Sequence, residues 1–460
     1  MKSATDPSVM RVGSAPGRVP LLGHLAVMAL QPFKFLRDLP SHGDLVEIKL
    51  GHRQAYIVCH PYLLHQVYRN SRVFDKGGTL FEQARAFSGN GLFNCEHQEH
   101  RRQRRLVQPA FHADRLVDYA ELMVAQADEV IQSWQDGQII DVQANVLHVT
   151  ARVTTQVLFA TDLTSQDVDD VEQWLAVIFK VGIRRVMTPP WLQRVPTPNN
   201  RRFHAAIAHF DEWAYRLIAA QRNSIYDPRS IVSAMAAADE DGDAFDDREI
   251  RDQVITLFSA GTESTANLVA WALHLLGCHP HARDRLAVEI DTVLGQRTAT
   301  YADVPRLEYT RQILLESLRL FPPAWLLTRQ TTEDTQLAEH PIPAGTTVVI
   351  SPYVIHHRAD LYPDPERFDP DRWKSGQPAP VPGAFVPFGG GARKCVAEHF
   401  GLLEASLILA TITARWRLDP LPGSTMQLRV NGILRPYPPH MQLHGRRDGV
   451  EPTSGTNSDD

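Results

Sequence analysis

From Asp247 to Cys278 runs the longest helical pattern in the sequence, ended by His279-Pro280. Its apolar residues lie almost all round it: Ile250, Val254, Ile255, Leu257, Phe258, Leu268, Val269, Trp271 and Leu275. Such a helix is roughly 48 Å long, and with so little polar face it has to run through the middle of the molecule. At its centre stands Ala260-Gly261-Thr262-Glu263-Ser264-Thr265, a poor helix sequence inside a good one. That costs stability, and a core helix keeps it for function rather than for packing.

The second constraint is Phe388-Gly389-Gly390-Gly391-Ala392-Arg393-Lys394-Cys395, followed by an apolar run at helical spacing through Phe400, Leu403, Leu407 and Ile412. Cys395 therefore sits near a helix N-terminus, where free N–H groups and the helix dipole favour a thiolate, with Arg393 and Lys394 adding positive charge. The glycines let the backbone approach a flat partner closely. A phosphate cradle would need Gly-Lys-Ser/Thr opening the helix, and there is none. A nucleophilic cysteine would need a partner His and a signature of its own, and neither is found. An inert buried cysteine is the default; what overturns it is pattern. The stretch resembles the cysteine loop of the cytochrome P-450 family, F-x-x-G-x-R-x-C-x-G, at Phe388, Gly391, Arg393 and Cys395, with Ala397 in place of the last glycine.

The resemblance implies a mainly α fold with small β-sheets (α+β), a long central helix over a haem b, and Cys395 as axial ligand of the haem iron. It extends to other stretches. His100 and Arg104, four apart on one face of a basic helix, match haem-propionate ligands, as do Arg329 on a predicted strand and Arg393. Glu316 and Arg319 resemble the family's E-x-x-R pair, with Arg367 as the third member of a buried charge network that locks the cysteine loop. Taken alone, such a pair is a surface ion pair of little worth. In the central helix, Glu263 and Ser264 match the acid–alcohol pair that relays protons. Serine stands where threonine is usual, and Thr265 is the alternative hydroxyl.

Composition agrees with a large globular core: 43% hydrophobic, 22% charged. The net charge of −6 gives no hint of nucleic acid. Cys59, Cys95, Cys278 and Cys395 form no C-x-x-C pair, as suits a reducing cytosol. The early apolar run from Leu21 to Leu30 is too short to span a bilayer, so a cytoplasmic protein without a membrane anchor is expected. Residues 1–14 read as a loose segment, 15–445 as a single domain and 446–460 as a disordered tail. The stretch from Asp75 to Asn94 reads as a long loop, which in a compact domain is usually functional.

The reaction implied is O2-dependent monooxygenation of a small molecule by a monomer. Neither a flavin nor a nicotinamide domain is evident, so a ferredoxin and its reductase are the expected electron donors, docking on Arg101, Arg102, Arg105 and Lys394. Candidate pocket residues are Leu80, Phe81, Phe87, Ile178, Phe179, Phe258, Ala260, Ala324, Trp325, Leu326 and Ile433, nearly all apolar, and for any one of them plain core packing is as good an account. Softer stretches, Phe74-Asp75-Lys76-Gly77, Gly89-Asn90-Gly91-Leu92 and Trp325-Leu326-Leu327 among them, resemble pentalenene-type sesquiterpene oxygenases, which implies a terpene. A fatty-acid hydroxylase, and a haem-thiolate peroxygenase or isomerase needing no redox partner, are the alternatives.

Overall fold

The computed structural model describes residues 10–160, 164–186, 188, 193–223, 227, 229–237, 242–295, 297–431 and 433–446. The helix Asp247–Cys278 opens with a capping box, in which the Asp246 carboxylate accepts from Glu249 N at 2.7 Å and the Glu249 carboxylate accepts from Asp246 N at 3.0 Å. Two otherwise orphaned N–H groups are satisfied in this way. It ends where Pro280 starts the next helix, Pro280–Val293. It packs most extensively on Val142–Phe159, and also on Pro198–Arg222, Glu308–Leu320 and Glu398–Arg415. Burial on all sides follows from its all-round apolar pattern. One window breaks that burial: Ala260 is exposed, and Gly261, Glu263 and Ser264 are half-buried, between buried turns on both sides.

Strands are peripheral. A six-stranded mixed sheet has the order Val12–Ser14, Leu45–Leu50, Arg53–Val58, Thr347–Ile350, Leu327–Thr331, Phe74–Asp75. Val12 pairs in parallel with Leu45, Leu45 antiparallel with Val58, and Leu327 antiparallel with Ile350. Three smaller sheets complete the set among the described residues. The largest apolar cluster surrounds the central helix, and two others cover the faces of the six-stranded sheet.

Two expectations change. Val12–Ser14 is a strand, not part of a loose lead-in. The stretch read as a long loop contains the helix Gly78–Ser88. Its apolar residues Leu80, Phe81, Ala84 and Phe87 do have helical spacing, but flanking glycines masked it. Gly78 and Gly89 take positive φ at the two ends (79° and 70°), conformations that glycine adopts without strain.

Candidate active site

The cysteine loop is held by its neighbours. Gly391 has φ 62°, and a Cβ there would lie 2.0 Å from Tyr68 O. Gly390 faces the Tyr68 ring, with a Cβ 3.1 Å from it. Part of what the glycines approach is thus the helix Pro61–Arg69 of this chain. Cys395 N donates to Phe388 O at 2.9 Å. The helix Glu398–Arg415 begins three residues past Cys395, and the Ala397 N–H points at the sulfur. Cys395 is exposed, yet burial raises its pKa, outweighing the Ala397 N–H, Arg104 and Lys394. A thiol both accessible and closely surrounded faces an interior space.

Beside it lies a group of buried basic side chains. Arg329 is 4% exposed, His100 6% and Lys76 6%. Arg393 donates to Asp75 Oδ1 at 2.8 Å and to Cys95 O at 2.7 Å. Asp75 also accepts from Lys76 N and His97 N, and it is the one carboxylate placed against this group among the described contacts. Burial, and then the charge of Arg393, hold the His100 pKa down at about 3. Burial and Arg393 also lower Arg329, although Tyr68 and Asp75 oppose them. Tyr68 Oη is buried without a hydrogen-bond partner among the described residues. Buried charge normally comes paired, so two arginines and a lysine against one carboxylate leave room for an anion. Arg104 departs from expectation: its Nη1 donates to Ala392 O at 3.2 Å and Lys394 O at 2.5 Å, gripping the cysteine loop.

Glu316 and Arg319 are fully buried and doubly bonded, at 2.8 and 2.9 Å. The remaining Arg319 donors go to His356 O, Pro365 O and Arg367 O, so all five N–H groups are satisfied. His356 in turn accepts from Val386 N at 3.0 Å, just ahead of the cysteine loop. The expected third member is corrected. The Arg367 side chain is 63% exposed and paired with Asp369, so it supplies only its carbonyl. Arg372 bonds Glu316 at 3.3 Å, and Trp373 Nε1 does so at 2.9 Å. The cause is the 3-10 turn Pro370–Trp373, which swings Arg372 and Trp373 inward. A proline-rich stretch has no periodicity from which that turn could be read.

In the open window of the central helix the Ser264 hydroxyl donates to Ala260 O. Glu263 is half-buried and paired with Arg435 of the strand Ile433–Tyr437 at 3.2 Å. Thr265 points elsewhere. It is buried against the cysteine helix, where a Cβ on Gly401 would lie 3.7 Å from its hydroxyl. It is therefore ruled out as the hydroxyl of this window, because adjacent residues on a helix diverge by about 100°. Thr265 adjoins Glu404, a carboxyl that sequence reasoning missed. Glu404 is 0% exposed, neither oxygen has a well-formed hydrogen bond among the described residues, and burial raises its pKa to about 8 against the opposing Thr265 hydroxyl.

Of the pocket candidates, Ala260, Leu80, Ala324 and Ile433 keep some exposure. Ile178 (0%), Phe258 (1%) and Phe81 (1%) are closed off, and Phe87 stacks edge-on with Phe203. Trp325 and Leu326 pack into the cluster on the six-stranded sheet, with Trp325 beside Phe33. The Phe179 side chain lies outside the described residues. The basic face is largely neutralised: Arg102 pairs with Asp243 and Glu249, Arg105 with Asp243, and Lys394 with Glu398. Arg101 stays exposed. No described helix is long and apolar enough to cross a membrane.

These features have counterparts elsewhere. Cyclooctatin synthase of Streptomyces melanosporofaciens is 45% identical over 93% of this chain and 95% of its own length. Cyclooctat-9-en-7-ol 5-monooxygenase of the same organism is 42% identical over 90% and 91%. Pentalenene oxygenase of Streptomyces avermitilis is 40% identical over 95% and 98%. The crystal structure of the cytochrome P450DA heme domain superposes with a TM-score of 0.86 at 25% identity, covering 96% of this chain and 99% of that one. The sequence model of the Cytochrome P450 family matches residues 14–443, from the first strand through the cysteine loop to the last strand. A thiol facing interior space, a buried cation group and a central helix opened at its middle are thus set in a chain that belongs to the cytochrome P450 family.

Proposed function

We propose that the chain binds haem b through Cys395 and oxidises a compact, apolar, ring-containing substrate of the terpene class, using O2 and electrons from a ferredoxin. Family membership carries a haem, O2, electron-transfer partners and a small substrate. Bound through a thiolate, haem supplies the O2 activation that a C–H bond requires. The single observation that carries the reading is the surplus of buried cations beside an accessible thiol. That donor set suits a planar group with two carboxylates and a thiol-binding metal. Arg329, His100 and Arg393 would hold the carboxylates, and Arg104 would fix the loop. Ser264 and Glu263 would hold and move protons in the opened helix, with Arg435 orienting the acid.

The substrate class rests on two supports. Two relatives are named for pentalenene and for an unsaturated alcohol. Two cations near the pocket are also occupied: Arg85 bonds Lys76 O, Asn94 O and Glu96, while Arg185 bonds Asn200 and stacks on Phe203. A fatty-acid carboxylate entering without a cation would cost several kcal/mol, on the order given for unpaired charge. The test has two parts. Reduced protein with CO should show the red-shifted Soret band of thiolate ligation, absent in Cys395→Ser; a His-type band in the wild type refutes the haem assignment. Cyclic terpene hydrocarbons and alkenols should perturb the haem spectrum at lower concentration than long-chain fatty acids, and the reverse order refutes the substrate class. A monomer turning over only with a ferredoxin is expected, with Arg101 at the docking face. Turnover with peroxide alone would favour the peroxygenase.

A further inference from the structure

Lys76 is buried, yet no carboxylate lies in its hydrogen-bond reach among the described residues. Of its three donors one goes to Phe93 O. Its ammonium lies over two rings, with Nζ 4.4 Å from the Phe93 centroid and 5.7 Å from that of Phe81. Its backbone N–H donates to Asp75 Oδ1, the oxygen that Arg393 also grips. Burial, and after it the charges of Arg329 and Arg393, push its pKa well below that of an ordinary lysine. A flexible side chain could have snorkelled to water; this one is turned toward other cations. Holding a charge there costs stability unless an anion completes the group.

Resting on the haem reading above, we infer that Lys76 is a further ligand of a haem carboxylate, acting with Arg329 and Arg393, and that the same ammonium ties the segment carrying the helix Gly78–Ser88 to Phe93 O. Binding of the cofactor and placement of the segment over the substrate space then share one residue.

The test uses the holoprotein and reads haem retention as transfer to excess apomyoglobin. Lys76→Met keeps the stem and removes the charge; it should speed haem loss by between about ten- and a hundredfold, the span of one charge-assisted hydrogen bond. It should also lower the haem reduction potential, since a nearby cation favours the more negative reduced state. Lys76→Arg should keep the loss rate within about threefold of wild type. Arg85→Met loosens the same segment through Lys76 O and Asn94 O without touching the cation group, and should leave the loss rate and potential unchanged. Equal loss in Lys76→Met and wild type, or equal acceleration in Arg85→Met with no change in potential, overturns the inference and leaves Lys76 a packing residue. A wild type without bound haem sinks the function itself, a separate outcome.

Discussion

Glu404→Gln removes an ionisable group from the contact between the central helix and the cysteine helix. The carboxyl is fully buried and lacks a well-formed hydrogen bond among the described residues, so burial lifts its pKa from 4.5 to about 8. The folded protein then keeps a proton that the unfolded chain has already lost, and stability falls as pH rises between those values. At 1.36 kcal/mol per pH unit the whole effect is about 5 kcal/mol, of which roughly 2.5 falls between pH 6 and 8. With about 2.1 cal/mol/K of unfolding entropy per residue, a chain of 460 residues should melt about 2–3 °C lower at pH 8 than at pH 6 from this group alone. Glutamine keeps the shape and cannot ionise. Thermal melts of wild type and Glu404→Gln across pH 5.5–8.5 should therefore diverge, with the variant relatively more stable at the alkaline end. Parallel melting curves, or a variant that loses ground as pH rises, refute the reasoning and mean that the carboxyl is paired when ionised.

Arg372→Met should lower the unfolding free energy by about 1–3 kcal/mol and reduce haem content, because it strips a bond from the buried Glu316 carboxylate. Arg367→Met should stay within about 0.5 kcal/mol, and urea titrations of both variants decide it. Ser264→Ala should consume reductant and release peroxide with little product, while Thr265→Val stays coupled; peroxide yield per reductant distinguishes them. Gly391→Ala places a Cβ 2.0 Å from Tyr68 O at a φ of 62° and should abolish the thiolate-type CO spectrum, an outcome that a spectrum of the purified variant checks directly.

Local pattern alone determined a good deal. The all-round apolar run placed Asp247–Cys278 as the central helix because burial on every face leaves a signature within one segment. The cysteine loop, the Glu316–Arg319 pair and the i, i+4 spacing of His100 and Arg104 took their meaning from resemblance to family motifs, since a Glu–Arg pair alone reads as a surface ion pair. What the tertiary structure decided is which distant groups meet. Arg372 rather than Arg367 reaches Glu316 because a 3-10 turn sets the direction of its side chain. Thr265 faces Glu404 while Ser264 faces the open window, a division fixed by how two helices pack and invisible along one. Arg102 and Arg105 read as a free basic face until Asp243, well over a hundred residues away in sequence, folded against them. Lys76 read as a loop residue, and it became a buried cation only when the strands carrying Asp75 and Arg329 paired. A charge shows its sign in the sequence, but whether it is paired, and by what, depends on contacts that only the fold brings within a few ångströms.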